Sequence, residues 1–226
     1  MLNNNWLTFA NISHLSEKLS GDILTIAKKS IDLNGKFTIV LAGGTSVVDT
    51  YKILSKSKSD WSRWHVYMSD ERSLPLQDKD RNDTVINEVW LNNGLIPKQN
   101  INFIHAEQGN KEAADNYESI LKNVGDFDLV LLGLGEDGHT ASLFPKHKYN
   151  EDRDVVIEEN SPKYPKNRIS ISYSRLNKSK YVFKVIVGES KKMAVRLMIE
   201  GCNIPINKIH GKNERFFLTS CSIEGE

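Results

Sequence analysis

Cysteine is scarce in this sequence, with Cys202 and Cys221 as the two among 226 residues. Two cysteines cannot build the disulfide framework of a small secreted domain, and their separation matches no zinc or redox motif. Histidine, cysteine and aspartate also show no zinc-site spacing elsewhere. We therefore predict buried or indifferent thiols, no bound metal and no metal-dependent chemistry.

Long apolar runs and excess charge are also missing. No segment approaches the roughly 20 apolar residues that a membrane-spanning helix needs. The opening residues, MLNNNWLTFANIS, lack the basic and apolar regions of a signal peptide. The formal net charge of +1 gives no global attraction to nucleic acid or anionic lipid, although it does not exclude local basic patches. We expect a cytoplasmic protein without a nucleic-acid or membrane partner, and the oligomeric state stays open between monomer and dimer.

No linker, charge block or internal repeat divides the chain, which predicts one domain over residues 1–226. Apolar runs rich in β-branched and aromatic residues alternate with segments of helical periodicity. The predicted strands are 37–42, 64–69, 101–105, 127–132, 154–160, 168–173, 181–188 and 215–220, and the predicted helices are 13–32, 47–54, 83–92, 110–124 and 189–200. This alternation is typical of an α/β fold with a mostly parallel open sheet of about seven strands and helices on both faces, a doubly wound, Rossmann-like three-layer α/β/α architecture.

The segment 127–145, FDLVLLGLGEDGHTASLFP, joins a buried strand to the most promising chemistry in the sequence. Open α/β sheets bind ligands at the carboxyl ends of their strands, where this glycine-rich loop lies. His139 follows the loop directly, which predicts a position near a helix N-terminus, whose dipole would keep the imidazole neutral as a general base requires. Asp137 could orient the ring. A Ser-His-Asp triad is not favoured, because there is no G-x-S-x-G elbow.

The letters GLGEDG at 133–138 match the dinucleotide fingerprint G-x-G-x-x-G. A crossover helix should follow such glycines, but Pro145 stands seven positions after Gly138. Glu136 and Asp137 would also occupy the place of the pyrophosphate. We therefore predict no dinucleotide and no other cofactor.

A second glycine loop, AGGTS at 42–46, also joins a predicted strand to a helix. Its free N–H groups and the Thr45 and Ser46 hydroxyls suit an anion, although the lysine of a Walker loop is absent. A tight turn capped by one of these hydroxyls is the alternative interpretation.

The loop SDERSLP, 69–75, places Asp70 and Arg72 at the same predicted edge. Mutually paired surface charges are the alternative interpretation of this run. Downstream, Asn82 is predicted to cap the helix over 83–92.

Two further cations stand in notable positions. Arg168 begins a predicted strand, and Lys191 falls in the first turn of the helix 189–200. The helix dipole disfavours a cation there unless an anion compensates it. A solvated surface lysine is the alternative.

Together these pieces resemble the bacterial-type 6-phosphogluconolactonases, within the wider glucosamine-6-phosphate isomerase/deaminase superfamily. The strongest piece is DLVLLGLGEDGHTASLFP, and LAGGTS, WHVYMSDER with DRN, NSPKYPKNRISISY and VGESKK support it in the same order. The resemblance extends over about residues 37–220.

The resemblance implies roles for individual residues. His139 matches the catalytic histidine, and Asp70, Arg72 and Asp137 match polar positions that line the site. The residues implied to bind the sugar phosphate are Gly43, Gly44, Thr45, Ser46, Arg168 and Lys191.

The sequence also departs from the family pattern. The phosphate loop is more often GGST followed by proline, so which hydroxyl contacts phosphate is left open, and Arg81 stands where serine is common. The deaminase branch usually has MDEY and HIAFNEP where this chain has SDER and HTASLFP. The acidic residue that follows the histidine in that branch is therefore absent.

The implied activity is hydrolysis of 6-phospho-D-glucono-1,5-lactone, a small-molecule substrate, with His139 activating water. An amino-sugar-phosphate isomerase or deaminase is the alternative enzyme. A non-catalytic sugar-phosphate sensor on the same fold is the alternative from another class.

Overall fold

Buried strands form the centre of the molecule, which is represented by a computed structural model describing residues 4–223. The strands are β1 (Trp6–Phe9), β2 (Phe37–Leu41), β3 (Trp64–Met68), β4 (Asp70–Arg72), β5 (Ile101–Asn102), β6 (Phe127–Gly133), β7 (Val155–Glu158), β8 (Arg168–Ile171), β9 (Ser179–Ile186) and β10 (Asn213–Thr219). The helices are α1 (Ile12–Asn34), α2 (Val48–Leu54), α3 (Asn82–Val89), α4 (Asn110–Leu121), α5 (Tyr173–Leu176) and α6 (Lys192–Ile199).

Seven strands form one parallel sheet in the order β1-β10-β9-β6-β2-β3-β5. All of β2 is buried, and in β6 Gly133 alone is partly exposed. Strands covered on both faces need apolar side chains at successive positions, which explains the continuous runs FTIVL and FDLVLL. The predicted α/β fold with a parallel central sheet is confirmed.

The chain reverses its direction of travel across the sheet between β2 and β6. From β2 it proceeds to β3 and β5 on one side, and from β6 it proceeds to β9 and β10 on the other. Because crossovers between parallel strands are right-handed, α1 and α2 cover one face while α4 and α6 cover the other. The loops after β2 and β6 therefore diverge at a topological switch point, where such sheets leave a crevice.

A second, antiparallel sheet of β4, β8 and β7 stands apart from the first. The sequence did not predict this separation, since the segments 154–160 and 168–173 read as members of one mostly parallel sheet. Residues 70–82, predicted as a loop, contribute β4, and β1 was not predicted. An apolar run indicates burial, but it does not specify which strand will be its neighbour.

Aromatic side chains pack together where β2 and β3 begin, and they complete that end of the core. Trp64 contacts Phe37 edge-to-face at 4.7 Å between ring centroids, and Trp61 and Trp90 pack around it. Within residues 4–223 no helix has the length and apolar character needed to span a membrane. Cys202 and Cys221 are unpaired, with Cys202 half-buried and Cys221 exposed.

Candidate active site

A cavity of about 430 Å³ opens at the switch point. It collects side chains from both sheets and from the start of α6. Its lining comprises Ala42, Gly43, Gly44, Thr45, Ser46, Ser69, Asp70, Arg72, Asn82, Gly133, Leu134, Gly135, Glu136, His139, Thr140, Ala141, Lys163, Tyr164, Arg168, Val187, Ser190 and Lys191. Every site residue expected from the sequence lines this cavity except Asp137. The Asp137 carboxylate instead contacts the Nδ1 atom of His139.

The loop after β6 folds tightly on itself and does not lead into a helix. The Gly135 N–H donates to the His139 carbonyl at 2.8 Å, and the Thr140 hydroxyl donates to the Gly133 carbonyl at 2.8 Å. The expectation that His139 lies near a helix N-terminus is therefore wrong. These local hydrogen bonds hold the segment around His139. The Asp137 carboxylate, and not a helix dipole, is the main electrostatic influence on the His139 ring.

The glycines of this loop make room for the histidine. A Cβ added at Gly135 would lie 2.0 Å from the His139 Nδ1 atom, so the ring sits directly over the backbone of Gly135. Gly138 has φ +86°, and a Cβ there would meet Ile204 at 2.9 Å. Two glycines of the G-x-G-x-x-G pattern therefore have separate roles here. Gly135 leaves space for the His139 ring, and Gly138 allows a left-handed turn, for which glycine is suited.

One side of the His139 ring contacts other protein groups, and the other side faces the cavity. Its Nδ1 atom contacts the Asp137 carboxylate, and its ring packs on Phe144 with centroids 4.6 Å apart. Within residues 4–223 its Nε2 atom has no hydrogen-bond partner. Burial resists ionisation of Asp137, but the hydrogen bond and charge of His139 outweigh it and lower the pKa of Asp137 to about 2. The carboxylate therefore stays ionised near neutral pH and favours the tautomer with hydrogen on Nδ1 and a lone pair on Nε2.

The Asp70 side chain is buried, and its carboxylate is hydrogen-bonded to neighbouring hydroxyls. It accepts hydrogen bonds from Ser142 Oγ at 2.6 Å and from Ser69 Oγ at 2.9 Å. The Asn82 amide donates to its main-chain carbonyl at 3.0 Å, and Asn82 lies so close to Gly43 that a Cβ there would meet Asn82 Oδ1 at 2.1 Å. Asp70 thus joins the loops after β2, β3 and β6, whereas Asp137 is the carboxylate in contact with His139.

The start of α3 is capped by Glu71, so the prediction that Asn82 caps this helix is wrong. The buried Glu71 carboxylate accepts from the N–H groups of Asn82 and Asp83, both at 2.8 Å, and from Arg72 N at 2.7 Å. This arrangement satisfies helix N–H groups and frees the Asn82 side chain to face the cavity. It also fixes the backbone of Arg72, whose buried Nε atom has no partner among the described residues.

Arg168 directs most of its guanidinium at the backbone. Its Nη2 atom donates to the carbonyls of Lys163 at 3.2 Å and Tyr164 at 2.9 Å, and its Nε atom donates to Pro165 at 3.0 Å. In the antiparallel sheet it stands directly opposite Arg72. Burial lowers the pKa of Arg168, Asp70 opposes that shift, and Arg72 reinforces it.

Lys191 is the N-cap residue of α6, which confirms its expected place at a helix start. Burial lowers the pKa of Lys191, Glu136 opposes the shift, and the positive charge of Lys163 reinforces it. Within residues 4–223, four cations of the cavity form no ion pair with a carboxylate: Arg72, Lys163, Arg168 and Lys191. Converging unpaired cations favour an anionic ligand.

The loop 43–46 completes the cationic side of the cavity with hydrogen-bond donors. Thr45 begins a short 3-10 helix, and neither its hydroxyl nor that of Ser46 has a partner among the described residues. Gly44, with φ +83°, turns the chain into it. The capped-turn alternative is not observed, because the structure shows no side-chain cap here.

Sequence reasoning missed several residues that line this site. It assigned no role to Lys163, Tyr164 or Ser190, and it gave Asn82 a different one. The stretch NSPKYPKN contains Lys163, but its letters carry no chemical pattern that separates Lys163 from Lys166. Only the folded loop shows which lysine reaches the cavity.

The fold and its cavity define an α/β protein with a cation-lined cavity at the switch point. Residues 10–218 match the model of the family described as glucosamine-6-phosphate isomerases/6-phosphogluconolactonase. The chain belongs to this family.

Individual relatives agree with that assignment. The chain is 33% identical over 195 residues to the 6-phosphogluconolactonase of Thermotoga maritima, covering 85% of this chain and 88% of that protein. The crystal structure of 6-phosphogluconolactonase from Thermotoga maritima matches with a TM-score of 0.89 at 29% identity, covering 95% of this chain and 99% of that one. A monomeric glucosamine-6-phosphate deaminase, 18% identical, shares the fold with a TM-score of 0.82 over 96% of this chain and 98% of its own.

Proposed function

We propose that the protein hydrolyses 6-phospho-D-glucono-1,5-lactone to 6-phospho-D-gluconate, a step of the oxidative pentose phosphate pathway. The observation that carries the proposal is the joint presence, in one cavity, of an oriented histidine with a free Nε2 atom and a set of unpaired cations. The first could activate water, and the second could hold a phosphate. The relatives named 6-phosphogluconolactonase support the same substrate.

Phosphate binding positions the lactone in this proposal. The N–H groups and hydroxyls of residues 43–46, together with Arg168 and Lys191, receive the phosphate. An anion there relieves the repulsion between neighbouring cations and compensates the placement of Lys191 at a helix start. Fixing the phosphate brings the lactone carbonyl carbon near His139, which reduces the entropic cost of the reaction.

His139 acts as the general base. Its Nε2 atom takes a proton from water as the water oxygen attacks C1, and Asp137 stabilises the resulting imidazolium. Arg72 and loop N–H groups are the candidate donors to the tetrahedral oxyanion. When the bond from C1 to the ring oxygen breaks, the imidazolium returns its proton to that oxygen, and the carboxylic acid product then ionises.

The proposed reaction uses a histidine as its base and therefore calls for no metal or cofactor. We also propose that residues 1–226 form one domain that acts in the cytoplasm on a small molecule. One cluster of buried apolar side chains that extends from Leu15 to Leu218 supports the single domain.

The deaminase alternative has less support from this cavity. The residues after His139 are Thr140, Ala141, Ser142, Leu143 and Phe144, and none of them supplies a carboxylate. The shared fold with a deaminase therefore does not favour ring opening and loss of an amine. The sensor alternative does not account for a carboxylate placed on Nδ1 of a histidine with a free Nε2.

One set of assays separates the three functions. Acid release from freshly made 6-phosphogluconolactone is measured against a no-enzyme control, because the lactone also hydrolyses spontaneously. Ammonia release from glucosamine 6-phosphate tests the deaminase, and calorimetric binding of 6-phosphogluconate without any turnover identifies a sensor. We expect acceleration of lactone hydrolysis alone, and hydrolysis no faster than the control would refute the proposal.

A further inference from the structure

The loop 161–167 forms one wall of the cavity and presents a lysine that no role yet explains. Lys163 lines the cavity, and its side chain forms no ion pair or hydrogen bond within residues 4–223. It lies near enough to Lys191 for its charge to lower the pKa of that amine. Glu136 and Asp137 raise the pKa of Lys191 in opposition, but within residues 4–223 no carboxylate forms an ion pair with either lysine, so the two amines leave a place for an anion.

The backbone of Lys163 is fixed although its side chain is exposed. Its N–H donates to Ser161 Oγ at 3.1 Å, and its carbonyl accepts from Ser161 Oγ at 2.7 Å. The same carbonyl accepts from Arg168 Nη2 at 3.2 Å. A solvated lysine on an ordinary surface loop needs no such support, whereas a ligand-binding lysine gains from a fixed attachment point.

Arg168 provides much of that support. Its Nε and Nη2 atoms donate to three successive carbonyls of the loop, those of Lys163, Tyr164 and Pro165. These bonds leave Nη1 as the guanidinium nitrogen without a partner in the described part of the chain. Most of the hydrogen-bonding capacity of Arg168 therefore organises the loop.

We propose that Lys163 is a further phosphate-binding residue and that Arg168 acts in part as the positioning residue that holds Lys163 over the cavity. This inference rests on the proposed function, because it assigns Lys163 to the phosphate of the same substrate. Lys163 and Lys191 then approach the phosphate from the loop after β7 and from the start of α6, respectively.

The first experiment compares Lys163→Met with Lys166→Met, an exposed lysine of the same loop that does not line the cavity. For 6-phosphogluconolactone we expect Lys163→Met to raise KM about tenfold with little change in kcat, as for the loss of one charged hydrogen bond. Lys166→Met should behave like the unsubstituted protein. With unphosphorylated glucono-1,5-lactone the two variants should not differ. Equal KM values for both variants on the phosphorylated substrate would overturn the proposal for Lys163.

The second experiment tests whether Arg168 acts through Lys163. Arg168→Met is combined with Lys163→Met, and circular dichroism verifies that each variant is folded. If Arg168 positions Lys163, removing the lysine should raise KM much less in the Arg168→Met background than in the unsubstituted protein. Equal fold-changes in both backgrounds would refute the positioning role and leave the test of Lys163 intact.

Calorimetric titration with 6-phosphogluconate distinguishes failure of this inference from failure of the proposed function. Weaker binding by Lys163→Met, relative to Lys166→Met, supports the phosphate contact even if lactone hydrolysis is absent. Unchanged binding in a protein that hydrolyses the lactone contradicts the phosphate contact alone.

Discussion

The two sides of the cavity differ in how far their polar groups are satisfied. The base side, residues 133–144, is internally bonded, with Gly135, Thr140 and Ser142 each donating to a protein acceptor. The cationic side, built from residues 43–46, 163–168 and 191, contains hydroxyls and ammonium groups that have no partner within residues 4–223. The base side is thus organised without a ligand, whereas in the proposed function the phosphate of the ligand completes the cationic side. Substitutions on the two sides should consequently change different kinetic constants.

Removing the base should have the largest effect. We expect His139→Ala to reduce kcat about 10²- to 10⁴-fold with little change in KM, because the variant keeps its phosphate-binding groups but has no general base. Steady-state hydrolysis of 6-phosphogluconolactone measures this, with the exposed His14→Ala as the matched control. Turnover at the unsubstituted rate in His139→Ala would end the proposed mechanism.

Moving the base without removing it should have the next largest effect. In Gly135→Ala the new Cβ would lie 2.0 Å from His139 Nδ1, so the ring must shift. We expect a loss in kcat of up to about 10²-fold, the scale of a misplacement near 1 Å. Gly125→Ala is the control, since its Cβ would meet nothing within 4 Å. A change in KM alone would show that the two sides of the cavity are not separate in function.

On the cationic side, Lys191→Met should raise KM roughly tenfold and leave kcat nearly unchanged. The reason is loss of a phosphate contact that ground state and transition state share. The variant should also lose most of the thermal stabilisation that 6-phosphogluconate gives the unsubstituted protein, as measured by differential scanning fluorimetry. An equal shift in melting temperature for both proteins would remove Lys191 from the phosphate site.

The smallest effect concerns acid stability on the base side. The folded protein holds the pKa of Asp137 at about 2, below its usual 3.8. A depressed carboxylate pKa contributes stability above the usual value, and that stability is lost as pH falls from about 4 towards 2. We expect Asp137→Asn to be less stable at pH 7 by under about 1 kcal/mol, because the side chain is partly exposed.

Urea unfolding at a series of pH values measures this contribution. The difference between the unsubstituted protein and Asp137→Asn should shrink as the pH approaches 2. A difference that stays constant from pH 5 to pH 2 would show that the carboxylate is not stabilised in this way.

The sequence was most informative where the presence of a residue type has a single physical explanation. Continuous apolar runs gave the buried strands β2 and β6, and the glycines after them gave the loops of the cavity. Within residues 4–223 no helix lies between β6 and β7, as the position of Pro145 after GLGEDG indicated, while the absence of a bound dinucleotide stays a prediction. The actual purpose of Gly135, making room for the His139 ring, depends on the position of a side chain four residues away and follows only from coordinates.

Sequence reasoning fell short where several groups compete for the same hydrogen-bond partners. Asn82 reads as a helix cap, but Glu71 satisfies the helix N–H groups and Asn82 turns to Asp70. The phosphate-binding role of Arg168 stays a proposal, but the sequence did not show that most of its guanidinium bonds to the carbonyls of residues 163–165. Such competition for hydrogen bonds is decided by which segments meet in space.

The sequence by itself determined the α/β class, the buried central strands and the loops that carry the candidate site residues, because hydrophobic periodicity and glycine act locally. Only the tertiary structure decided that β4, β7 and β8 form a separate sheet and that His139 is oriented by Asp137 without a helix. It also decided that Lys163 shares a cavity with Lys191. These features depend on contacts between distant segments, whose geometry is set by the packing of the whole chain.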